Sequence, residues 1–317
     1  MLQYLIRRLL MLVPTLFLAS IVIFAIIQLA PGDPARMMLG TEATEEQIAR
    51  EQARLGLDKP IPVRYAVWLS DVARLNLGKS QINNQPATQL VGNAFPNTLR
   101  LALVTLTLAL LIGFPLGIWA AMRQNSGVDL AVTSLSSLGL AIPSFWLGLI
   151  LILVFSVRLR WLPPSGVGEP GAFFLSNLEY LIMPVIAIAV SNMSVFSRFV
   201  RSAMIDVLGS DYVRTARAKG LPEHAVVVHH ALRTTLLPVV TTVGIQFGSL
   251  LGGAVVAESV FAYPGIGRLI VRSILNRDYP VVQATLMFVV VIFLITNIIV
   301  DLSYAYLDPA VKLEGAH

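Results

Sequence analysis

Apolar positions in this chain run in blocks too long for the core of a soluble fold. Six stand out, at residues 9–30, 101–122, 130–157, 180–197, 236–257 and 281–304. A hydrocarbon layer about 30 Å thick takes ~20 residues of helix, and in lipid the backbone must satisfy its own hydrogen bonds. Each block is therefore predicted to be a membrane-spanning helix. The first follows Arg7 and Arg8 and has the flank of a secretory signal. Its length exceeds the ~7–15 residues of a signal's apolar region, and no small-x-small site precedes Pro31, so it reads as an anchor. The arginine pair lacks the surroundings of a twin-arginine signal.

The polar segments set the orientation. With the amino terminus in the cytoplasm, the inner short segments carry ten basic residues, among them Arg8, Arg123, Arg201, Arg217 and Lys312. The outer ones carry five: Arg158, Arg160, Arg268, Arg272 and Arg277. That bias predicts both termini inside. Residues 31–97 then form the longest outer segment, with seven acidic and seven basic residues. They read as a small solvated cap with a helical run at 44–57 that Gly56 interrupts.

Composition agrees with the pattern. The chain has 317 residues, 56% of them hydrophobic and only 13% charged, against roughly 25% charged in a soluble domain. A net charge of +5, dispersed along the chain, does not suggest nucleic-acid binding. With no cysteine, disulfides, thiolate metal sites and cysteine nucleophiles are excluded.

Inside the six blocks Asp301 is the sole ionisable residue. It sits about one turn from the inner end of the last span and reads as an interfacial anchor, which argues against ion coupling. Gly244, Gly248 and Gly252 form a small-residue stripe suited either to a dimer or gate interface or to packing within the chain. Asn192, Gln246 and Ser249 are candidates to face a polar conduit, with interhelical hydrogen bonding as the alternative. Pro115, Pro143 and Pro184 each permit a bend, and the long third block is expected to tilt or break at Pro143.

The most informative segment is the stretch 198–235 between the fourth and fifth blocks, far longer than the usual connection in a helical bundle. Ser210 or Asp211 can cap a short helix in which Tyr212, Val213 and Ala216 form a stripe. Arg217 and Lys219 suit its C-terminal dipole, and Gly220 suits a left-handed stop. Pro222 and Glu223 then open a second helix. The expected result is a helix-turn-helix elbow, which either lies on the lipid surface or seats in a protein cleft.

Motifs spread over nearly the whole chain bear a family resemblance. They are P-G-D-P at 31–34, L-G-L-D-K-P at 55–60, I-P-S-F-W-L-G at 142–148, W-L-P-P-S-G at 161–166, D-Y-V-R-T-A-R-A-K-G at 211–220, A-L-R-T-T-L-L-P ending at Pro238, and F-A-Y-P-G-I-G with R-D-Y-P within 261–280. In this order the chain resembles the permeases of binding-protein-dependent ABC importers, in the dipeptide, oligopeptide, glutathione and nickel branch. Arg214, Thr215 and Ala216 stand where the general importer pattern has Glu-Ala-Ala, a departure that matches this branch.

The resemblance implies an all-α integral membrane protein of six spans, with an anchor at 1–30, a cap at 31–97, a type-1 permease core at 98–306 and a cytoplasmic tail at 307–317. It implies that the elbow, residues 205–235, is a coupling helix. Tyr212, Arg214, Thr215, Ala216, Arg217, Ala218, Lys219 and Gly220 would engage a cytoplasmic ATPase. The implied partners are two such ATPases, which bind the ATP and Mg, a second homologous permease forming a heterodimer, a solute-binding protein and membrane lipid. Pro264, Gly265, Arg272 and Asp278 would lie at the outer mouth. The implied location is the bacterial inner membrane, and the cargo a di- or oligopeptide, with glutathione or nickel as alternatives.

No catalytic constellation appears. There is no G-x-x-x-x-G-K-[ST] phosphate loop. His229 and His230 are adjacent and point to different helix faces, and His224 lies five residues earlier, so no metal site is expected. His317 stands alone at the terminus. An ATP-independent channel remains the contrasting class, and the elbow argues against it.

Overall fold

The computed structural model describes residues 2–29, 34–39, 43–54, 56–168 and 177–307. Residues 31–33 and 55 of two motifs, and residues 308–317 of the tail with Lys312 and His317, lie outside the described residues, as does the side chain of Asp301. The regular elements of the described residues are all helices, apart from one isolated antiparallel bridge between Lys79 and Pro86. Among the described residues five helices are long and apolar enough to cross a membrane, and a bent helix pair brings the number to six if it counts as one span.

Two compact units divide the chain, Met1–Pro96 with Arg268–Leu294, and Asn97–Gly267 with Ile295–His317. The first contains α1 (Leu2–Gln28), α2 (Pro34–Leu39), α3 (Glu45–Arg54), α4 (Ile61–Ala73) and the start of α5 (Ala87–Met122). α3 opens on a reciprocal capping box: the Gln47 amide donates to Thr44 Oγ1 at 3.3 Å, and the Thr44 amide to Gln47 Oε1 at 2.9 Å. It stops at Arg54, two residues before Gly56 at φ +68°. α4 lies beyond the helical run expected at 44–57. It is pinned to α1 by an aromatic cluster, with Tyr65 edge-on to Phe17 and Phe24, and by a 2.7 Å hydrogen bond between Tyr65 and Ser20.

The second unit holds the rest of α5, then α6 (Gly127–Ala141), α7 (Ser144–Leu151) with a π-helical extension to Arg158, and α8 (Glu179–Leu208). Next come α9 (Asp211–Ala218), the single turn α10 (Glu223–Ala225), a π-helical turn Val226–Ala231, α11 (Leu232–Gly253) and α12 (Val255–Val260). α13 (Ile266–Leu275) and α14 (Tyr279–Leu307) complete the chain. α8 is the central helix: 61% of its most apolar stretch is buried, against 17% for α1. α5 meets it through Gly113 and Gly117, where an added Cβ would lie 2.6 Å from the Met193 and Ser197 carbonyl oxygens. α6 meets it through Gly139, where a Cβ would strike the Ser194 hydroxyl.

The third block breaks where Pro143 leads one to expect it, bending by 92° between α6 and α7 at Ile142 and Pro143, because proline's fixed φ and absent N–H disfavour helix at and before it. Other expectations change. Pro115 and Pro184 break nothing: α5 and α8 run on through them. The fifth candidate span runs from Pro238 to Val260, with a one-residue break at Ala254 between α11 and α12. The long segment between the fourth and fifth blocks is mostly helix as well, since α8 extends to Leu208 and the last limb continues through a π turn into α11.

Candidate functional site

The elbow is built from its turns outward. Ser210 occupies the N-cap position of α9 with extended backbone, yet its hydroxyl does not cap; it donates to the Val207 carbonyl at 2.5 Å. α9 buries Val213 and Ala216 against Val226, with Val207 and Leu208 alongside. Gly220 follows at φ +80°, with nothing within 4 Å of where a Cβ would stand. It is there for its left-handed backbone, not for close packing. Pro222 is the residue before the next helix, not its first residue, and Glu223 opens the turn.

Two side-chain links brace the elbow. Arg217 donates from Nη2 and Nε to Glu223 at 2.6 and 3.1 Å, across the Gly220 turn, and its Nη1 reaches the Leu208 carbonyl at 3.4 Å. Tyr212 donates to Thr234 Oγ1 at 3.0 Å, tying α9 to the first turn of α11. The hydrogen bond with Arg217 holds the Glu223 carboxyl below its ordinary range, and the same bond raises Arg217. Outward from this braced body point Arg214, Thr215, Ala218 and Lys219, all exposed, while Ala216 faces inward.

The remaining candidates separate. Gln246 donates to Asn192 Oδ1 at 2.9 Å, and Asn192 donates to the Ile188 carbonyl at 3.0 Å. This is the interhelical bond of the alternative reading; Ser249 is exposed on the same helix. Gly244 lies against Val300 of α14, whose side chain a Cβ would strike, so at this position the stripe packs within the chain. Gly248 is buried and Gly252 exposed.

The mouth residues fall in both units. In the second, the Pro264 carbonyl accepts from Asn97 at 2.9 Å, and Gly265 lies against the Glu258 carboxylate. In the first, Arg272 is exposed, but Asp278 is 3% exposed and accepts from Ser80 Oγ at 2.5 Å and the Gln81 amide at 3.1 Å. Asp278 is thus a buried tie between the cap and the start of α14, with no free face for a partner.

Sequence reading also missed buried charge. Asp129, Arg100 and Glu258 lie just outside the apolar blocks, yet all three are helical and buried. Asp129 pairs with Arg201. Glu258, fully buried, accepts from Thr98 Oγ1 at 2.7 Å, and Thr98 in turn accepts from the Ile266 amide at 2.8 Å. Burial pushes the neighbouring Tyr263 up to about 12, so this phenol stays neutral. Among the described residues no group of three or more His, Cys, Asp or Glu is placed to hold a metal ion.

Long apolar helices, one pair of them sharply bent, and a braced elbow between α8 and α11 outline a helical membrane permease. The chain belongs to the family of the binding-protein-dependent transport system inner membrane component: residues 113–313 match that family's model, and residues 1–102 match the model of its N-terminal part. It is accordingly a permease component of a binding-protein-dependent ABC importer of the bacterial inner membrane.

It is similar to the glutathione transport system permease protein GsiC of Salmonella typhi, 40% identical over 314 residues, covering 99% of this chain and 100% of that protein. GsiC of Escherichia coli K12 is 39% identical over the same length and coverage. A probable peptide ABC transporter permease protein, y4tP of Sinorhizobium fredii, is 38% identical over 309 residues, 98% of this chain and 99% of that one. In fold the chain is similar to the inward-facing MetNI methionine ABC transporter, with a TM-score of 0.59 at 17% identity over 70% of this chain and 97% of that one.

Proposed function

We propose that this chain is one half of a pseudo-symmetric permease pair that admits di- or oligopeptides, or a related small peptide such as glutathione, by alternating access. A second homologous permease completes the pair. Two cytoplasmic ATPases bind ATP and Mg, and an extracytoplasmic binding protein delivers the cargo. The peptide class is supported by the names of the similar full-length permeases. Six spans with both termini inside are supported by five apolar helices plus one bent pair and by the basic bias of the inner segments. Residues 1–30 then anchor, 31–97 cap, and 98–306 form the core.

The observation that carries the reading is the braced elbow. Coupling needs a lever that keeps its shape when pushed, because a docked partner biases a membrane gate only through contacts that differ between two states. Val213 and Ala216 seat α9 on its own chain, Arg217 and Tyr212 tie it at both ends, and Arg214, Thr215, Ala218 and Lys219 are left to face an ATPase cleft. Thr215→Trp and Ala218→Trp, both on the exposed face, test this in the reconstituted complex. Uptake should be lost while the subunits stay folded and ATP hydrolysis no longer responds to loaded binding protein. Full uptake by both variants would refute the coupling role.

A further inference from the structure

A cavity in the first unit has a charge pattern that neither the transport reading nor the family explains. Its volume is about 290 Å³, at the small end of ligand cavities. The last turn of α1 supplies Phe24 and Gln28. One face of α4 supplies Arg64, Val67, Trp68 and Asp71, at the i, i+3, i+4, i+7 spacing of a single helix face. Lys59, just before α4, and Tyr279, at the start of α14, complete the polar wall.

The charged side chains here differ from those of the two preceding helices. Arg36, Arg50 and Arg54 are each paired with a glutamate, Glu45, Glu46 and Glu51 respectively. Lys59, Arg64 and Asp71 have no ion-pair partner among the described residues, although all three line one cavity. Two cations near one end of the α4 face and a carboxylate two turns along it, about 10 Å by helical rise, complement a ligand that is anionic at one end and cationic at the other. Trp68 lies between Arg64 and Asp71 in register, where its ring can receive an ammonium.

Position selects the source of such a ligand. The cavity sits at the end of α1, whose apolar stretch from Leu10 to Gln28 is a candidate span, and therefore at the depth of lipid headgroups. Apolar side chains on the helices that form it are open to their surroundings: Val67 of its wall is 51% exposed, and Ile61 and Val63 elsewhere on α4 and Ile26 on α1 are 57%, 45% and 54% exposed. A soluble zwitterion has no use for them, whereas acyl chains do.

We propose that this cavity binds the headgroup of an aminophospholipid, its phosphate diester held by Lys59 and Arg64 and its primary ammonium by Asp71 over Trp68. With the amino terminus inside, as proposed above, the lipid belongs to the outer leaflet. The site itself depends only on α1 crossing the membrane, so its failure would leave the transport reading intact.

Native mass spectrometry of the whole complex, released from nanodiscs of phosphatidylethanolamine, phosphatidylcholine or phosphatidylglycerol, tests this. Wild type should retain phosphatidylethanolamine. Lys59→Gln with Arg64→Gln should reduce retention of all three lipids about tenfold, the size of one or two charge-assisted hydrogen bonds, and Arg64→Lys in place of Arg64→Gln should recover most of it. Asp71→Asn should remove only the preference for phosphatidylethanolamine over phosphatidylglycerol. Free O-phosphoethanolamine should displace lipid far less well than phosphatidylethanolamine vesicles do. Unchanged retention in an assembled double glutamine variant, a phosphatidylglycerol preference that ignores Asp71→Asn, or displacement by the free headgroup as efficient as by lipid would each overturn the proposal.

Discussion

Arg201 grips Asp129 with both prongs of its guanidinium, across 72 residues of chain: Nε donates to Oδ1, and Nη2 to Oδ2 at 2.7 Å. Asp129 also accepts from the Asn125 amide at 2.9 Å, which pulls the α5–α6 turn into the same corner. The pair locks the first turn of α6 to α8 two turns before α8 ends at Leu208 and the elbow begins. Asp129 is 5% exposed, so the carboxylate has exchanged water for these partners, with Arg201 as its charged one.

Removing one partner should therefore cost more than removing both. Arg201→Met strands a buried carboxylate and is expected to destabilise by about 3 kcal/mol, whereas Asp129→Asn with Arg201→Met should recover a large part of that loss. Thermal unfolding of the solubilised chain in a double-mutant cycle measures this. Additive losses would show that the pair carries no coupling.

The elbow brace makes a pH prediction. Because Glu223 is held below its ordinary value by Arg217, its contribution is fully present above the unfolded-state value and is lost only as pH falls through the lower folded one. Arg217 is raised, so its own loss lies at still more alkaline pH than usual. Coupled ATPase activity of wild type should show no transition from this pair between pH 6 and 8. Glu223→Gln should weaken coupling throughout that window, and an Arg217→Glu, Glu223→Arg swap should restore part of it.

Gly220 separates backbone from bulk. Its surroundings are open but its φ is +80°. Gly220→Ala should cost about 1 kcal/mol of elbow stability and Gly220→Asn less, because asparagine tolerates the left-handed region. Hydrogen exchange over α9 reads the difference; less protection in Gly220→Asn than in Gly220→Ala would point to size, not conformation.

Gly244 makes the opposite case, in which bulk matters and φ does not. Gly244→Leu runs into Val300 and should destabilise by about 1–3 kcal/mol or more, as overpacking does. Adding Val300→Ala opens room and should return part of the loss in thermal unfolding of the solubilised chain. No rescue would move the function of the stripe to an interface with another subunit.

Much of the elbow was legible because its signals are local. A left-handed glycine, a proline before a helix and an acid in its first turn act on neighbouring backbone, and Gly220, Pro222 and Glu223 stand where those rules put them, within one residue. The limbs were not legible as long helices, because polar residues hid the extension of α8 to Leu208 and the continuous run into α11. Gly113 and Gly117 carry the same four-residue spacing as the glycine stripe of α11, and that signal was available in the sequence.

Hydrophobic length alone determined that this chain is a bundle of membrane helices, because the cost of exposing backbone to lipid is incurred segment by segment and does not depend on neighbours. Motif order along the chain determined the permease family. What tertiary structure decided is which polar groups meet. Asp129 and Arg201, Glu258 and Thr98, and Asp278 and Ser80 are 72, 160 and 198 residues apart. No periodicity links positions so distant; only helix packing brings them together, and burial then makes each pairing obligatory.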